Sequence, residues 1–328
     1  MMHATTNSRW FQAGAAAFAL AAWWALFRFG GVTDVGYIAT KADPSIFNWL
    51  HARWSNDFKL TGYALSFLVP LVALTLAWRR RAALTQGPHK VSGAGFAVIL
   101  LALGLHVLGG IAQQTRLSLL AMILLLWGIA WCAWGGRTAR LLAYPTATLV
   151  LAIPLNFFDN LLNPLRVFAA KTVALLASGL GLAVNAAGSL LMEAETRAWT
   201  IDLADTTSGI FALFTLLTWS VLLADFRFTS TGRKMLLIAA TPVLFWIANT
   251  LRGLTVCILA EAISPDLAQS WNKTHPALIM CLWFALAQFI LIRLLSVQGA
   301  QLRARFHALA QPGNSRSPGR RNDVEYLP

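Results

Sequence analysis

The sequence predicts an all-α, polytopic integral membrane protein with about eight transmembrane helices and an extracytoplasmic interfacial segment. Three observations carry that prediction. The 328 residues are 57% hydrophobic and 12% charged, about half the charged fraction of a soluble domain. Eight apolar runs approach the roughly 20 residues that a helix needs to cross a bilayer. Basic residues gather on alternate connections between those runs, the pattern that orients membrane proteins. Fourteen tryptophans suit a chain with many membrane–water interfaces.

The runs cover residues 11–28, 60–78, 93–111, 117–134, 140–156, 208–224, 235–262 and 276–296. The first has the look of a signal peptide. It is long and Trp-rich with no clear cleavage site, so it reads as an uncleaved span. With the N-terminus inside, the inner connections are 1–10, 79–92, 135–139, 225–234 and 297–328. Together with the flanking Arg140 and Arg293 they hold 16 of the 26 basic residues, against three acids, Asp225, Asp323 and Glu325. That excess equals the whole net charge of +13. The positive-inside rule thus accounts for the charge without a nucleic-acid partner. It places the chain in the cell inner membrane with its C-terminus cytoplasmic.

By the same parity, residues 157–207 are extracytoplasmic. Asn160 to Ala187 is apolar enough for a helix but carries Asn163, Arg166 and Lys171, which suits a helix lying in the interface with its cations snorkelling to water. The alternation Ala198-Trp199-Thr200-Ile201-Asp202-Leu203 predicts a short extended piece. The tail from 297 to 328, with Pro312, Gly313, Ser315 and Pro318 among arginines, reads as disordered. Cys132, Cys257 and Cys281 lie in apolar runs and form no CxxC pair. They make neither a disulfide framework nor a metal pattern, and read as packing residues.

Three polar groups stand out against this background. Asp205-Thr206-Thr207-Ser208-Gly209-Ile210 opens the sixth run, Asn249-Thr250-Leu251-Arg252 lies inside the seventh, and Thr274-His275-Pro276 opens the eighth. Arg252 is ten residues before Ala262, about 15 Å from the outer helix end at about 1.5 Å per residue. All three groups therefore fall in the outer half of the membrane. Each also has a plain structural reading. Asp205, Thr207 and Ser208 are good N-cap residues. Arg252, whose charge costs about 2.5–3.5 kcal/mol to insert, can pair with Asp205, Asp202 or Glu261. His275 before Pro276 is an ordinary helix start.

The order of these groups resembles the exosortase and archaeosortase family. The segment 205–210 is similar to that family's Glu-Ala-Cys-Ser-Gly-Ile signature, and Asn249 to Arg252 to its Asn-x-x-Arg segment. His275 stands where the family's histidine follows the next loop. Upstream, Ile153-Pro154-Leu155, Pro164-Leu165, Gly179-Leu180-Gly181, Val184 and Gly188 match the family's approach to its nucleophile. The resemblance covers about residues 100–296. It implies a membrane core over 100–296, preceded by N-terminal helices over 1–99 and followed by the tail.

The resemblance further implies a membrane-embedded peptidase or transpeptidase that cleaves C-terminal sorting tails, of the PEP-CTERM type, from exported proteins. Its partners would be those tails and the lipid bilayer, and it implies no cofactor and no metal. Carried over by position, Thr207 takes the nucleophile's place, Arg252 the arginine's and His275 the histidine's, with Asp205, Ser208 and Asn249 in support. The site would face the periplasm. Three departures are visible: Thr207 replaces cysteine, Asp205 replaces glutamate, and Asn156 interrupts the usual Pro-Leu-Pro. A threonine hydroxyl has no accessible anion near neutral pH and needs a base. Two other readings remain: a non-catalytic relative that binds sorting tails, and a transporter or envelope-polymer factor in which Arg252 binds an anion.

Overall fold

A computed structural model describes residues 2–30, 45–56, 66–86, 91–154, 159–194, 199–203 and 210–310. The described chain is helical apart from one small sheet. In order the elements are α1 (Met2–Phe29), α2 (Ile46–Asn56), α3 (Leu68–Arg79), α4 (Arg81–Thr85), α5 (Gly93–Ile111) and α6 (Thr115–Thr148). A 3₁₀ turn at Leu149–Ala152 leads to α7 (Asp159–Gly179) and the strands β1 (Val184–Ala187), β2 (Leu190–Glu193) and β3 (Thr200–Asp202). Then come α8 (Ile210–Arg227), α9 (Thr231–Ala239), α10 (Thr241–Ala262), α11 (Pro265–Thr274) and α12 (Pro276–Ala310).

Four helical stretches among the described residues are long and apolar enough to cross a membrane, against the eight expected: Gly93–Ile111, Thr115–Ala152, Thr231–Ala262 and Leu278–Ser296. Part of the difference lies at Gly135. The expected runs 117–134 and 140–156 form one helical stretch, but Gly135 has φ 84° and ψ 175°, where only glycine is unstrained. Trp127 Nε1 donates to Ala139 O at 2.9 Å. Twelve residues of straight helix would hold these groups about 18 Å apart. The chain therefore doubles back, and α6 is two arms of a hairpin. Shorter apolar helices, Gly14–Phe29 and Leu68–Arg79, represent the first two expected runs. Thr231–Ala262 is likewise interrupted at Ala240, before the Thr241-Pro242 start of α10.

The first arm of α6 packs antiparallel on α5 through small residues. A Cβ added at Gly95 would meet the Cys132 backbone nitrogen at 2.2 Å, one at Gly128 would meet Ile99, and one at Gly109 would meet Ser118. Gly95→Ala should push the two backbones apart. Overpacking of this kind costs about 1–3 kcal/mol, read as a lower unfolding temperature in detergent. An unchanged temperature would mean that the helices separate freely.

Two of the expected inner connections meet at one end of the bundle. The carboxylate of Asp225, at the end of α8, takes Lys234 Nζ at 2.6 Å, Arg80 Nη2 at 2.8 Å and Arg79 Nε at 3.2 Å. Arg80 and Lys234 also lie over the Tyr144 ring of the second arm of α6. Burial pushes the Asp225 carboxyl up, but the Lys234 bond and the Arg80 charge outweigh it and hold the group below its ordinary value. A depressed carboxyl stabilises the fold above the ordinary carboxylate range. That contribution is lost as pH falls through the lowered folded value. Asp225→Asn should therefore lower the unfolding temperature at neutral pH and flatten its fall on acidification; an unchanged acid profile would remove this role.

Two expectations about secondary structure are corrected. The helix expected over Asn160 to Ala187 stops at Gly179, because Gly181 turns the chain at φ 83° and Leu182 N caps Ala177 O at 3.0 Å. Residues 184–187 then pair with β2 in an antiparallel hairpin around Gly188. At the other end, α12 continues to Ala310, so 297–310 is helix where a disordered tail was expected. The Ala, Gln, Leu and Arg residues there favour helix, and the first strong breakers, Pro312 and Gly313, come later. Residues 311–328 lie outside the described residues. The short strand expected near Ile201 matches β3, which pairs with β2.

Candidate functional site

The sheet lies over α7, α10 and α11. Val184, Leu191, Trp199, Ile201 and Leu203 share a core with Val173 of α7, Val256 of α10 and Ala268 of α11. Small residues allow this closeness: Ala169, Ala170, Val173 and Ala177 of α7 are fully buried. A Cβ on Gly253 would meet Val173 and Leu203 at 2.9 and 3.0 Å. This packing brings the end of β3 against the middle of α10, where Arg252 stands.

Arg252 has 0% exposure and is the largest fully buried side chain described. Its guanidinium spans three elements. Nε donates to Asn249 Oδ1 at 3.2 Å, one turn back on α10. Nη1 donates to Asn272 Oδ1 at 2.7 Å, on α11. Nη2 donates to Leu203 O at 3.2 Å, just past β3. These three acceptors are neutral, and together they orient the fork. Of the acids considered as partners, Glu261 accepts from Trp199 Nε1 at 3.2 Å and Asp202 from Ser189 Oγ at 2.9 Å.

His275 joins α11 to α12. Its N–H donates to Trp271 O at 2.8 Å and its carbonyl accepts from Leu278 N at 3.2 Å, which makes it the start of α12, with Pro276 next. Its ring is exposed and meets the Trp271 ring edge-on at 5.5 Å. His275 makes no hydrogen bond to Arg252; they are linked through Asn272, which bonds Arg252 and lies three residues before His275. The structure thus brings Arg252 and Asn249 together, with His275 at the C-terminal cap of the helix that supplies Asn272. Asp205, Thr207 and Ser208 lie outside the described residues, which resume at Ile210. Leu203, bound to Arg252, is the last described residue before them.

Asn272 escaped the sequence reading. Its position three residues before His275, in the last turn of the helix that His275 caps, was the available signal. The Leu203 carbonyl had none, since a backbone acceptor carries no residue signature. Beside the site, an apolar groove of about 490 Å³ runs between α10, α11 and α12, lined by Thr255, Trp271, Leu278, Leu282, Trp283 and Leu286 among others. Its one hydroxyl is already engaged, because Thr255 Oγ1 donates to Leu251 O and accepts from Trp283 Nε1. Among the described residues, no three His, Cys, Asp or Glu side chains gather to hold a metal ion.

The fold and apolar helices define a multi-pass membrane protein built around a buried, amide-cradled arginine. The profile of the transmembrane exosortase family matches residues 54–299. The chain belongs to that family, whose members are cysteine-type transpeptidases embedded in the membrane. No curated protein and no solved structure matches the chain.

Proposed function

We propose that this chain is a membrane-embedded sorting peptidase or transpeptidase that cleaves C-terminal, PEP-CTERM-like tails from exported proteins, with Thr207 as nucleophile. One observation carries most weight. Arg252 is wholly buried, yet its fork is held by two neutral side-chain amides and by the carbonyl from which the chain enters the 205–210 segment. A cation so positioned has a low-dielectric surrounding, where its attraction for a developing oxyanion is strong. In the reaction, Thr207 Oγ attacks the scissile carbonyl while His275 takes the hydroxyl proton. Arg252 stabilises the oxyanion, and His275 returns the proton to the departing amine. Water or an acceptor amine then resolves the ester.

The apolar groove that begins at Trp271 and Thr255 suits the single apolar helix of such a tail. The proposed topology keeps eight spans, the inner membrane, a cytoplasmic C-terminus and a site facing the periplasm. It draws support from the meeting of Arg79, Arg80, Lys234 and Asp225 at one end of the bundle. The test is to co-express a tail-bearing exported protein with the wild type and with Thr207→Ala, and compare the substrate's mass. A shortened product only with the wild type is expected; an unshortened substrate in both would favour the tail-binding, non-catalytic reading, to which the loss of the cysteine also points.

A further inference from the structure

A second apolar cleft lies far along the chain from Arg252, between α1, α3 and the two arms of the α6 hairpin. It encloses about 340 Å³ and is lined by Leu74, Ala77, Ala130, Trp134 and Leu142 among others, with hardly a polar atom. Leu74, which lines it, is 66% exposed, so the cleft is open laterally. Three cations lie close in sequence to the residues that line it. Arg81 opens α4, just after α3, and its guanidinium lies 4.4 Å over the Trp78 ring, next to the lining residue Ala77. The first arm ends at Trp134, and Arg137 and Arg140 both stand in the first turns of the second arm, after the break at Gly135 and just before Leu142.

These cations differ from their neighbours. Arg79, Arg80 and Lys234 share the Asp225 carboxylate. Arg81, Arg137 and Arg140 are exposed, and among the described residues none forms an ion pair. A dry, laterally open cleft whose lining is flanked in sequence by three uncompensated guanidiniums is complementary to one kind of molecule: an apolar chain that ends in an anion. We propose that this cleft binds one acyl chain of an anionic glycerophospholipid, with the lipid phosphate held by Arg81, Arg137 and Arg140. Guanidiniums bind phosphate through paired N–H donors, and tryptophans such as Trp78 and Trp134 favour the depth where headgroup meets chain.

This site is independent of the peptidase reading, and its test reads lipid rather than cleavage. The full chain, purified in mild detergent and stripped of lipid, is incubated with equal phosphatidylglycerol and phosphatidylethanolamine of identical acyl chains. Bound lipid is then counted by native mass spectrometry. At about 1 kcal/mol per cation near an anionic headgroup, the preference for phosphatidylglycerol should be on the order of 100-fold. Replacing all three residues (Arg81→Gln, Arg137→Gln, Arg140→Gln) should bring the ratio to about one without unfolding the protein, since the three are exposed. Ala77→Phe, which fills the cleft, should lower the occupancy of both lipids. Equal retention of the two lipids by the wild type, or a preference that survives the triple substitution, would overturn the proposal.

Discussion

Arg252→Lys is expected to insert and accumulate in the membrane yet lose about 100- to 1,000-fold in processing of a tail-bearing substrate, the cost of removing one oxyanion donor. Lysine keeps the charge but concentrates it at one point, whereas the guanidinium fork reaches Asn249, Asn272 and Leu203 at once. An ammonium group placed there leaves at least one of these buried acceptors without its donor. That omission costs about 1–3 kcal/mol of stability, which a folded membrane protein survives. The two readouts therefore separate the roles. A purely structural arginine would lose stability and processing together and in proportion. A catalytic one loses processing far beyond the change in stability. Near-wild-type cleavage by the lysine variant would remove the oxyanion role. Arg252→Ala is the less informative change, because it abandons all three acceptors and threatens the contact of α10 with α11.

The largest effect belongs to Thr207. Thr207→Ala should leave no detectable cleavage, since loss of a nucleophile that acts together with its base costs about 10⁶-fold, while abundance stays near normal because a cap contributes about 1 kcal/mol. Thr207→Cys should be tolerated, sulfur replacing the hydroxyl and one methyl being lost. A thiolate stabilised by a nearby cation would make that variant sensitive to thiol-directed reagents. Of the three natural cysteines Cys257 is buried and Cys132 partly so, whereas Cys281 is exposed, so the wild type is the labelling control. Ser208→Ala should be mild, as it stands one residue past the family's nucleophile position. If Ser208→Ala were dead and Thr207→Ala active, the nucleophile would move by one residue. Full cleavage by both single variants and by the double variant would leave tail binding as the function.

Much of this protein was legible in its sequence because a bilayer constrains a chain more than water does. Apolar length and the distribution of arginines announced a helical membrane protein, since backbone groups in lipid must bond within their own segment. The order of the 205–210 segment, Arg252 and His275 pointed to the family that the match over 54–299 established. The short strand at Thr200–Asp202 was visible as an alternation of apolar and polar residues. Hydropathy could not decide where helices break: the turn at Gly135 and the stop at Gly179 depend on single backbone angles and caps, which a window of 20 residues averages away. Nor could it decide what Arg252 touches. Asn272 lies 20 residues away and the Leu203 carbonyl 49, and both were placed by the small-residue face of α7, which lets β3 descend onto α10. The sequence alone determined that a charge is buried in the membrane. The tertiary packing decided that neutral amides and a backbone carbonyl aim it, because only close approach of three separate elements can satisfy a fork of donors cut off from water.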